Sequence, residues 1–459
     1  SCSRLRWLRK TSVARLGDLI RMGIHMIRQL IAICSLAAAL PAMASGLSAD
    51  EQRMADWVDA HADEAIALLK EQVDIPSGTS NHEGVRDVGR VLQRELDAVG
   101  LTTEWIEMSD KVDRAGHLFG RKEGAGKKFL LIGHLDTVFE KDDGVRPFER
   151  DGDIARGHGV YDMKTGNTVI VYALKALQSI GALEEVPVVV AITGDEEDYG
   201  RPVEISRKDL IDAGQWADIA LGFEEAMYFD DTDWATVARR SSSSWVLTVH
   251  GKQSHSSSIF SESTGSGAIF EASRILHRFY EDVRGEKHLT FNAGNIQGGT
   301  EVEYNSTESR GKTFGKTNVV PRSVIVDGGI RTISQEQLDR ARAKMRAIVA
   351  DNLPHTSATI EFGDGYPPMS PTAGNLALAT ELSAINVALG RQPMPALDPS
   401  RRGAADISFV APYTDALAGL GAIGGGGHTP DEYVQLSTLP LAIKRAAILL
   451  YRLSEDSDD

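Results

Sequence analysis

From about Ser48 onward, apolar residues recur along the chain with two periods that alternate. The stretch "SADEQRMADWVDAHADEAIALLKEQV" repeats them at helical spacing and opens with Ser48 and Glu51 as a capping box. Farther on come short, almost wholly apolar runs: "FLLIG" at 129–133, "VPVVVAI" at 186–192 and "ADIALGF" at 217–223. Such runs are too short for buried helices, and helical patterns separate them. Strands without polar alternation are buried on both faces, so the pattern predicts a mainly parallel sheet covered by helices on each side.

The pattern changes in the middle of the chain. "SWVLTVHG" reads as a strand, "GAIFEASRILHRFYEDV" as a helix, and "LTFNAGNI" and "NVVPRSVIVDGGIRT" as two further strands. "SQEQLDRARAKMRAIVADNL" is a helix with Ser334 and Gln337 as its capping box and Leu338, Ala341, Met345, Ile348 and Val349 on one face. "SATIEFGD" closes the set as a strand. The order β-α-β-β-α-β is the ferredoxin-like split pattern. The chain therefore divides into an α/β catalytic domain in two parts, 45–240 and 364–459, with a smaller domain at 241–363 inserted between them.

Composition is that of an ordinary globular protein, 42% hydrophobic and 25% charged over 459 residues. The N-terminal region differs. "MIRQLIAICSLAAALPAMASG" has a positive start, a short apolar run and Ala42-Met43-Ala44 before Ser45, so 26–44 reads as a secretory signal peptide and 1–25 as an upstream extension. Its removal takes away seven basic residues and one acidic residue, and the formal charge moves from −16 to −22. That charge argues against nucleic acid or an anionic membrane as partner. Cys2 and Cys34, the only cysteines, leave with the same segment. The exported chain then has no thiolate chemistry, and a metal site must use imidazole and carboxylate.

Ligands of open α/β sheets bind outside the carboxyl ends of the strands. There the chain places His134 and Asp136 in "LLIGHLDTV", Asp162 in "GHGVYDMKTGN", and Glu196 and Glu197 in "TGDEED". Glu224 and Glu225 follow in "LGFEEA", and His428 comes after a glycine run in "GAIGGGGHTPDEYV". Each alone reads equally as a helix cap, a solvated loop or a turn. Five such sites on one edge of one sheet point to a metal centre, and the N and O donors suit zinc, manganese or cobalt. Calcium would leave both histidines unexplained. The four adjacent acids of "DEED" repel one another unless cationic charge neutralises them.

The ordered set HLD, YDMKTGN, DEE, FEE and GGGGHTPDEY resembles the co-catalytic di-zinc amidohydrolases and exopeptidases. These include glutamate carboxypeptidase, acetylornithine deacetylase, succinyl-diaminopimelate desuccinylase, aminoacylase and carnosinase-type dipeptidases. The resemblance implies a hydrolase-like catalytic domain with a lid or dimerisation domain inserted in it, and two zinc ions per subunit, with cobalt or manganese as alternatives. It makes His134 and Glu224 (or Glu225) ligands of one metal, Glu197 and His428 of the other, and Asp162 the bridge. Asp136 would accept the second ring proton of His134, and Glu196 would be the general base. A cis peptide is implied at Asp162–Met163. In the inserted domain, His255 corresponds to a histidine that reaches the partner subunit's site, which implies a homodimer; Asn318 and Arg331 match substrate-binding positions. "RRGAADISF" resembles a substrate loop around Asp406.

Together these readings describe a zinc-dependent hydrolase, periplasmic or secreted. It would cleave an amide bond next to a free carboxylate, in a small peptide or an N-acyl amino acid. A glutamate-carboxypeptidase-like exopeptidase or dipeptidase is the first expectation. An N-acyl-amino-acid deacylase is the alternative, and a non-catalytic binding protein of the same fold a more distant one.

Overall fold

The computed structural model describes residues 46–305 and 310–455. The segments read as a signal peptide, 26–44, and an upstream extension, 1–25, lie outside the described residues. Among these, no helix is long and apolar enough to cross a membrane.

The first residues form three helices, α1 (Ala49–Ala60), α2 (Ala62–Val73) and α3 (His82–Val99). The capping box that opens α1 is present in full: Glu51 N–H donates to Ser48 Oγ at 3.2 Å and Ser48 N–H to Glu51 Oε2 at 2.7 Å. Strands β1 (Thr102–Glu107), β2 (Gly116–Lys122) and β3 (Phe129–His134) follow, then α4 (Thr165–Ser179) and β4 (Val188–Thr193). Next come α5 (Lys208–Trp216) and β5 (Ile219–Gly222). The predicted apolar runs are β3, β4 and β5, and every residue in them is buried.

The main sheet has six strands in the order β1-β2-β4-β3-β5-β12, where β12 is Asp415–Leu417 near the C-terminus. The central pairs β4–β3, β3–β5 and β5–β12 are parallel, whereas β1 and β2 run antiparallel at one edge. The sheet is thus mixed and mainly parallel. Leu130, Ile132, Val189 and Ala191 pack on one face with Leu210, Ala213 and Ile407. In α4, twelve of fifteen residues are buried, so the helix is a core element throughout.

A second sheet occupies the middle of the chain. It comprises β6 (Ser242–Gly251), α6 (Gly267–Asp282), β7 (Thr290–Gly299), β10 (Ser323–Arg331), α7 (Gln335–Ala350) and β11 (Thr356–Tyr366). Its antiparallel order is β7-β10-β6-β11. The two helices cover one face, and Trp245, Leu247, Phe279, Val326 and Met345 fill a core of their own. A hairpin of β8 (Glu301–Asn305) and β9 (Arg310–Phe314), absent from the sequence reading, stands between β7 and β10. Only half of the expected α7 capping box forms. Gln337 N–H donates to Ser334 Oγ at 3.2 Å, but the Gln337 side chain takes the N–H of Ile333 instead.

The chain passes between the sheets twice, and the crossings pair with each other: Arg239 and Met369 exchange both backbone hydrogen bonds at 3.0 Å. The carboxyl half adds α8 (Ala373–Ala388), β12 and α9 (Leu439–Glu455).

Candidate active site

His134 is the last residue of β3, and the carboxylates come from the loops that leave β3, β4 and β5 at the same edge. Gly133 must be glycine there, because a Cβ would stand 2.3 Å from Asn167 Oδ1. Asn167 in turn donates to the His134 carbonyl at 2.7 Å, which ties the strand end to α4.

Asp162 stands at the centre. His134 Nε2 lies 3.1 Å from Asp162 Oδ1, and His428 Nε2 lies 3.1 Å from Asp162 Oδ2. One carboxylate therefore turns each oxygen to a different imidazole, the geometry a bridging ligand needs. The Asp162–Met163 peptide is cis, as the resemblance implied. His428 Nε2 is also 3.2 Å from Glu197 Oε2. The ligand atoms of His134, Asp162 and Glu197 lie within 4.8 Å of one another, as do those of His134, Glu196 and Glu224.

The choice between Glu224 and Glu225 is visible in their neighbours. Glu225 Oε1 accepts from Arg402 Nη1 at 2.6 Å, and Glu225 is in neither group of converging ligand atoms. Glu224 converges on His134 and Glu196, and its Oε2 is held by Arg239 Nη2, with Arg402 Nη2 at 3.4 Å.

Asp136 does something other than expected. His134 Nδ1 faces the Asp136 backbone carbonyl at 3.0 Å, and the carboxylate is farther, at 3.4 Å. The Asp136 carboxylate accepts from Thr79 Oγ1 at 2.7 Å and from the N–H groups of Glu196 and Glu197 at 3.0 and 3.1 Å. It fixes the acidic loop to the end of β3 as well as standing beside the imidazole.

The four acids of "DEED" separate into distinct environments. Asp195 is fully buried and accepts from Arg207 Nη1 at 2.6 Å and from the Gly200 N–H at 2.8 Å. Arg207 also donates to Asp406 Oδ1 at 2.7 Å, and Thr193 Oγ1 to Asp406 Oδ2 at 2.6 Å. Asp406, expected in a substrate loop, is thus a buried structural partner. Its carboxylate needs a cation, and Arg207 supplies one. Asp198 is exposed and pairs with Arg114.

Electrostatics single out the same group. Burial raises Glu196 well above the ordinary carboxylate range, and the neighbouring Glu224 charge adds to it. Burial likewise lifts Glu197 to about 7, despite its bond to His428. Asp162 is held below its usual value by His134 and His428, against the effect of burial. His428, bonded to Asp162 and Glu197, is pushed up to about 11. Apart from Arg239 and Arg402 at Glu224, the charge of the cluster is offset by protons, and Glu197 Oε1 is buried without a hydrogen-bond partner. A divalent cation would replace those protons and satisfy that oxygen. Two imidazoles and four carboxylates at these separations fit zinc, cobalt or manganese.

The remaining expected residues lie elsewhere. His255, just beyond β6, is exposed, and its Nδ1 bonds Ser257 Oγ at 2.8 Å. Asn318 is beside it, its carbonyl accepting the Ser256 N–H at 2.9 Å. Arg331 ends β10, the strand that begins at Ser323, so it stands at the other end of the sheet, roughly 26 Å away at the usual strand rise. None of the three hydrogen-bonds or ion-pairs with the His134 cluster among the described residues.

Arg207, Arg239, Arg402 and Glu432 escaped the sequence reading. The last of these sits inside the quoted motif "GGGGHTPDEY", four residues after His428, and could have been suspected from that position. Two glycines of the run have a steric reason: a Cβ on Gly424 would stand 2.1 Å from the Tyr433 carbonyl oxygen and 2.6 Å from the Tyr161 ring, and Gly426 has a positive φ of 74°.

A family model described as "Peptidase family M20/M25/M40" matches residues 130–452. Carboxypeptidase G2 of Pseudomonas sp. is 27% identical over 438 residues, covering 91% of this chain and 97% of that protein. Succinyl-diaminopimelate desuccinylase of Ralstonia nicotianae is 25% identical over 389 residues, covering 81% and 94%. Among solved structures, aminopeptidase PepT of Bacillus cereus superimposes with a TM-score of 0.67 at 16% identity, over 85% of this chain and 98% of that one. A Bacillus subtilis protein described as a dinuclear metal binding peptidase gives 0.60 at 15% identity, over 87% and 100%. At such identities these likenesses speak for the fold alone.

Proposed function

The chain belongs to peptidase family M20/M25/M40 and is a metallopeptidase or amidohydrolase; on that premise we propose that it is an exported, zinc-dependent hydrolase releasing a carboxylate-bearing product from a small peptide or N-acyl amino acid. The observation that carries this reading is Asp162, whose two oxygens face His134 and His428 separately at 3.1 Å. In it, His134 and Glu224 would hold one zinc ion, Glu197 and His428 the other, and Asp162 would serve both.

A pair of divalent cations supplies an acidified water and a polarised scissile carbonyl. The residues of the chain do the rest. Glu196 is next to a ligand in sequence and is held at the backbone by Asp136. Its carboxylate takes the proton of the attacking water and returns it to the leaving nitrogen. Asp136 keeps Glu196 and Glu197 in register, and Arg239 occupies Glu224 Oε2, so that Oε1 is left for the cation.

Carboxypeptidase G2, with 97% of its length covered, favours a carboxypeptidase-like exopeptidase, whereas the desuccinylase favours an N-acyl-amino-acid deacylase. The signal-like segment at 26–44 favours the former, since a periplasmic or secreted enzyme meets peptides to be scavenged. The second sheet would act as lid and dimerisation module. His255 and Asn318, exposed and bonded to none of their own cluster among the described residues, would then serve the site of a second copy.

The test is a panel of peptidyl- and acyl-amino acids offered to the zinc-loaded protein and to Glu196→Gln. Turnover of C-terminal amino acid substrates, lowered 10²–10⁴-fold in kcat by the substitution as for other general bases, is expected. An active Glu196→Gln variant would remove the base assignment. Turnover of acyl-amino acids alone would select the deacylase.

A further inference from the structure

One buried carboxylate near the cluster has no part in the chemistry above. Glu432 is 1% exposed. Its Oε1 accepts the N–H groups of Tyr161 and Asp162 at 2.7 and 2.8 Å, and its Oε2 accepts that of Gly159 at 3.1 Å. All three donors belong to the segment that presents Asp162. That segment leaves helical geometry at Asp162 (φ −117°, ψ 96°) and Met163 (φ −132°, ψ 36°) before α4 begins; Val160 and Lys164 find carbonyl acceptors, whereas the N–H groups of Gly159, Tyr161 and Asp162 go to Glu432.

The other end of the link is as well defined. Glu432 shares its loop with His428, and that loop is braced from outside: Arg146 Nη1 donates to the Pro430 carbonyl at 2.6 Å and Arg156 Nη1 to the Asp431 carbonyl at 3.1 Å. One carboxylate therefore joins the backbone behind Asp162 to the backbone behind His428, two side chains that meet at 3.1 Å. Hydrogen bonds to an ionised acceptor are roughly twice as strong as neutral ones. Losing them frees three N–H groups and with them the register of the two loops.

We propose that Glu432 is a positioning residue for the metal pair, setting the distance between Asp162 and His428 through the main chain; this rests on the reading of those two residues as ligands. It touches neither cation nor substrate. Its effect is greater at the position served by Glu197 and His428, because Asp162 is shared but, among the described residues, the His134 and Glu224 loops make no hydrogen bond to its carboxylate.

The experiment strips the full chain, Glu432→Gln and Glu432→Ala with a chelator and titrates each with Zn²⁺ against a competing chromogenic chelator. Thermal melting is followed with and without zinc. The wild-type chain is expected to take up two ions. In the variants one of the two weakens 10–100-fold, the range usual for partners behind a ligand. Glu432→Gln is milder, since its amide oxygen still accepts two of the three bonds. Because ligand binding stabilises only the folded chain, the zinc-loaded melting temperature falls further than the zinc-free one. Unchanged zinc affinities overturn the proposal, as do equal falls in melting temperature with and without zinc, which would mark a purely structural role. If Glu432→Ala does not fold, Glu432→Gln decides. A wild-type chain that binds no zinc pair overturns the reading of the site itself and the proposal with it, and is recognised before any variant is compared.

Discussion

Replacing Arg207 by Met tests whether the acidic loop is held from behind by charge. Arg207 is completely buried, and so is Asp195; Asp406 is 3% exposed. The guanidinium donates to Asp195 Oδ1, Asp406 Oδ1 and the Asp195 carbonyl at 2.6, 2.7 and 2.9 Å. Methionine keeps much of the stem and none of the donors. Two carboxylates then share a dry pocket without a cation. Breaking a buried pair from one side costs about 3–5 kcal/mol. The remaining bonds from Thr193 and the Gly200 N–H soften this without removing it. A loss of about 3 kcal/mol or more is expected in urea unfolding of the zinc-free protein at pH 7.5. Removing the Arg86–Glu107 pair, whose side chains are 28% and 48% exposed, should change stability by less than about 1 kcal/mol. Adding Asp195→Asn and Asp406→Asn to Arg207→Met should recover part of the loss, because the unpaired charges go with the arginine. A single Arg207→Met variant within about 1 kcal/mol of wild type would refute the reasoning, as would a triple variant less stable than the single one.

Two further outcomes follow from the geometry. Glu224→Gln should lower bound zinc from two ions to one per chain, whereas Glu225→Gln, which loses only its Arg402 partner, should retain two; metal analysis after dialysis distinguishes them. His117 is fully buried and held neutral, chiefly by burial, with the Gly194 N–H donating to its Nδ1 and its Nε2 facing the Ser206 carbonyl. Its folded pKa lies below the unfolded value near ~6.5, so the unfolded chain binds the extra proton first. Stability is therefore whole above about pH 6.5 and declines as the pH falls below it. Melting curves of the zinc-free protein from pH 7.5 to 5 should show a steeper fall for wild type than for His117→Gln; parallel curves would contradict the assignment.

The parts of this molecule that could be read from its sequence are those whose cause is local. Unbroken apolar runs became β3, β4 and β5, and the chemistry-bearing residues directly after them came together because a parallel sheet brings its carboxyl ends to one edge. The β-α-β-β-α-β order emerged for the same reason: each element carries its own period. Strand β9 escaped because every residue of "RGKTF" is exposed and no apolar alternation marks it, whereas β8 alternates over only five residues, with Val302 and Tyr304 half-buried. The partners of the acids were illegible too. Arg207 meets Asp406 across 199 residues of chain, and Arg402 meets Glu225 across 177. No local pattern distinguishes these arginines from solvated ones. Asp136 stands beside His134, yet its carboxylate bonds chiefly to the backbone of the acidic loop, which motif spacing does not reveal. Asn318 and Arg331 illustrate a further limit. Both belong to one stretch of sequence, but a strand between them carries them to opposite ends of a sheet.

The central question is whether Asp162 joins two cations. Diffraction from zinc-loaded crystals, recorded on both sides of the zinc absorption edge, addresses this directly. Two anomalous peaks about 3.5–4 Å apart, one against Asp162 Oδ1 and His134 and the other against Asp162 Oδ2 and His428, are the predicted result. A single peak, or peaks away from Asp162, would contradict it.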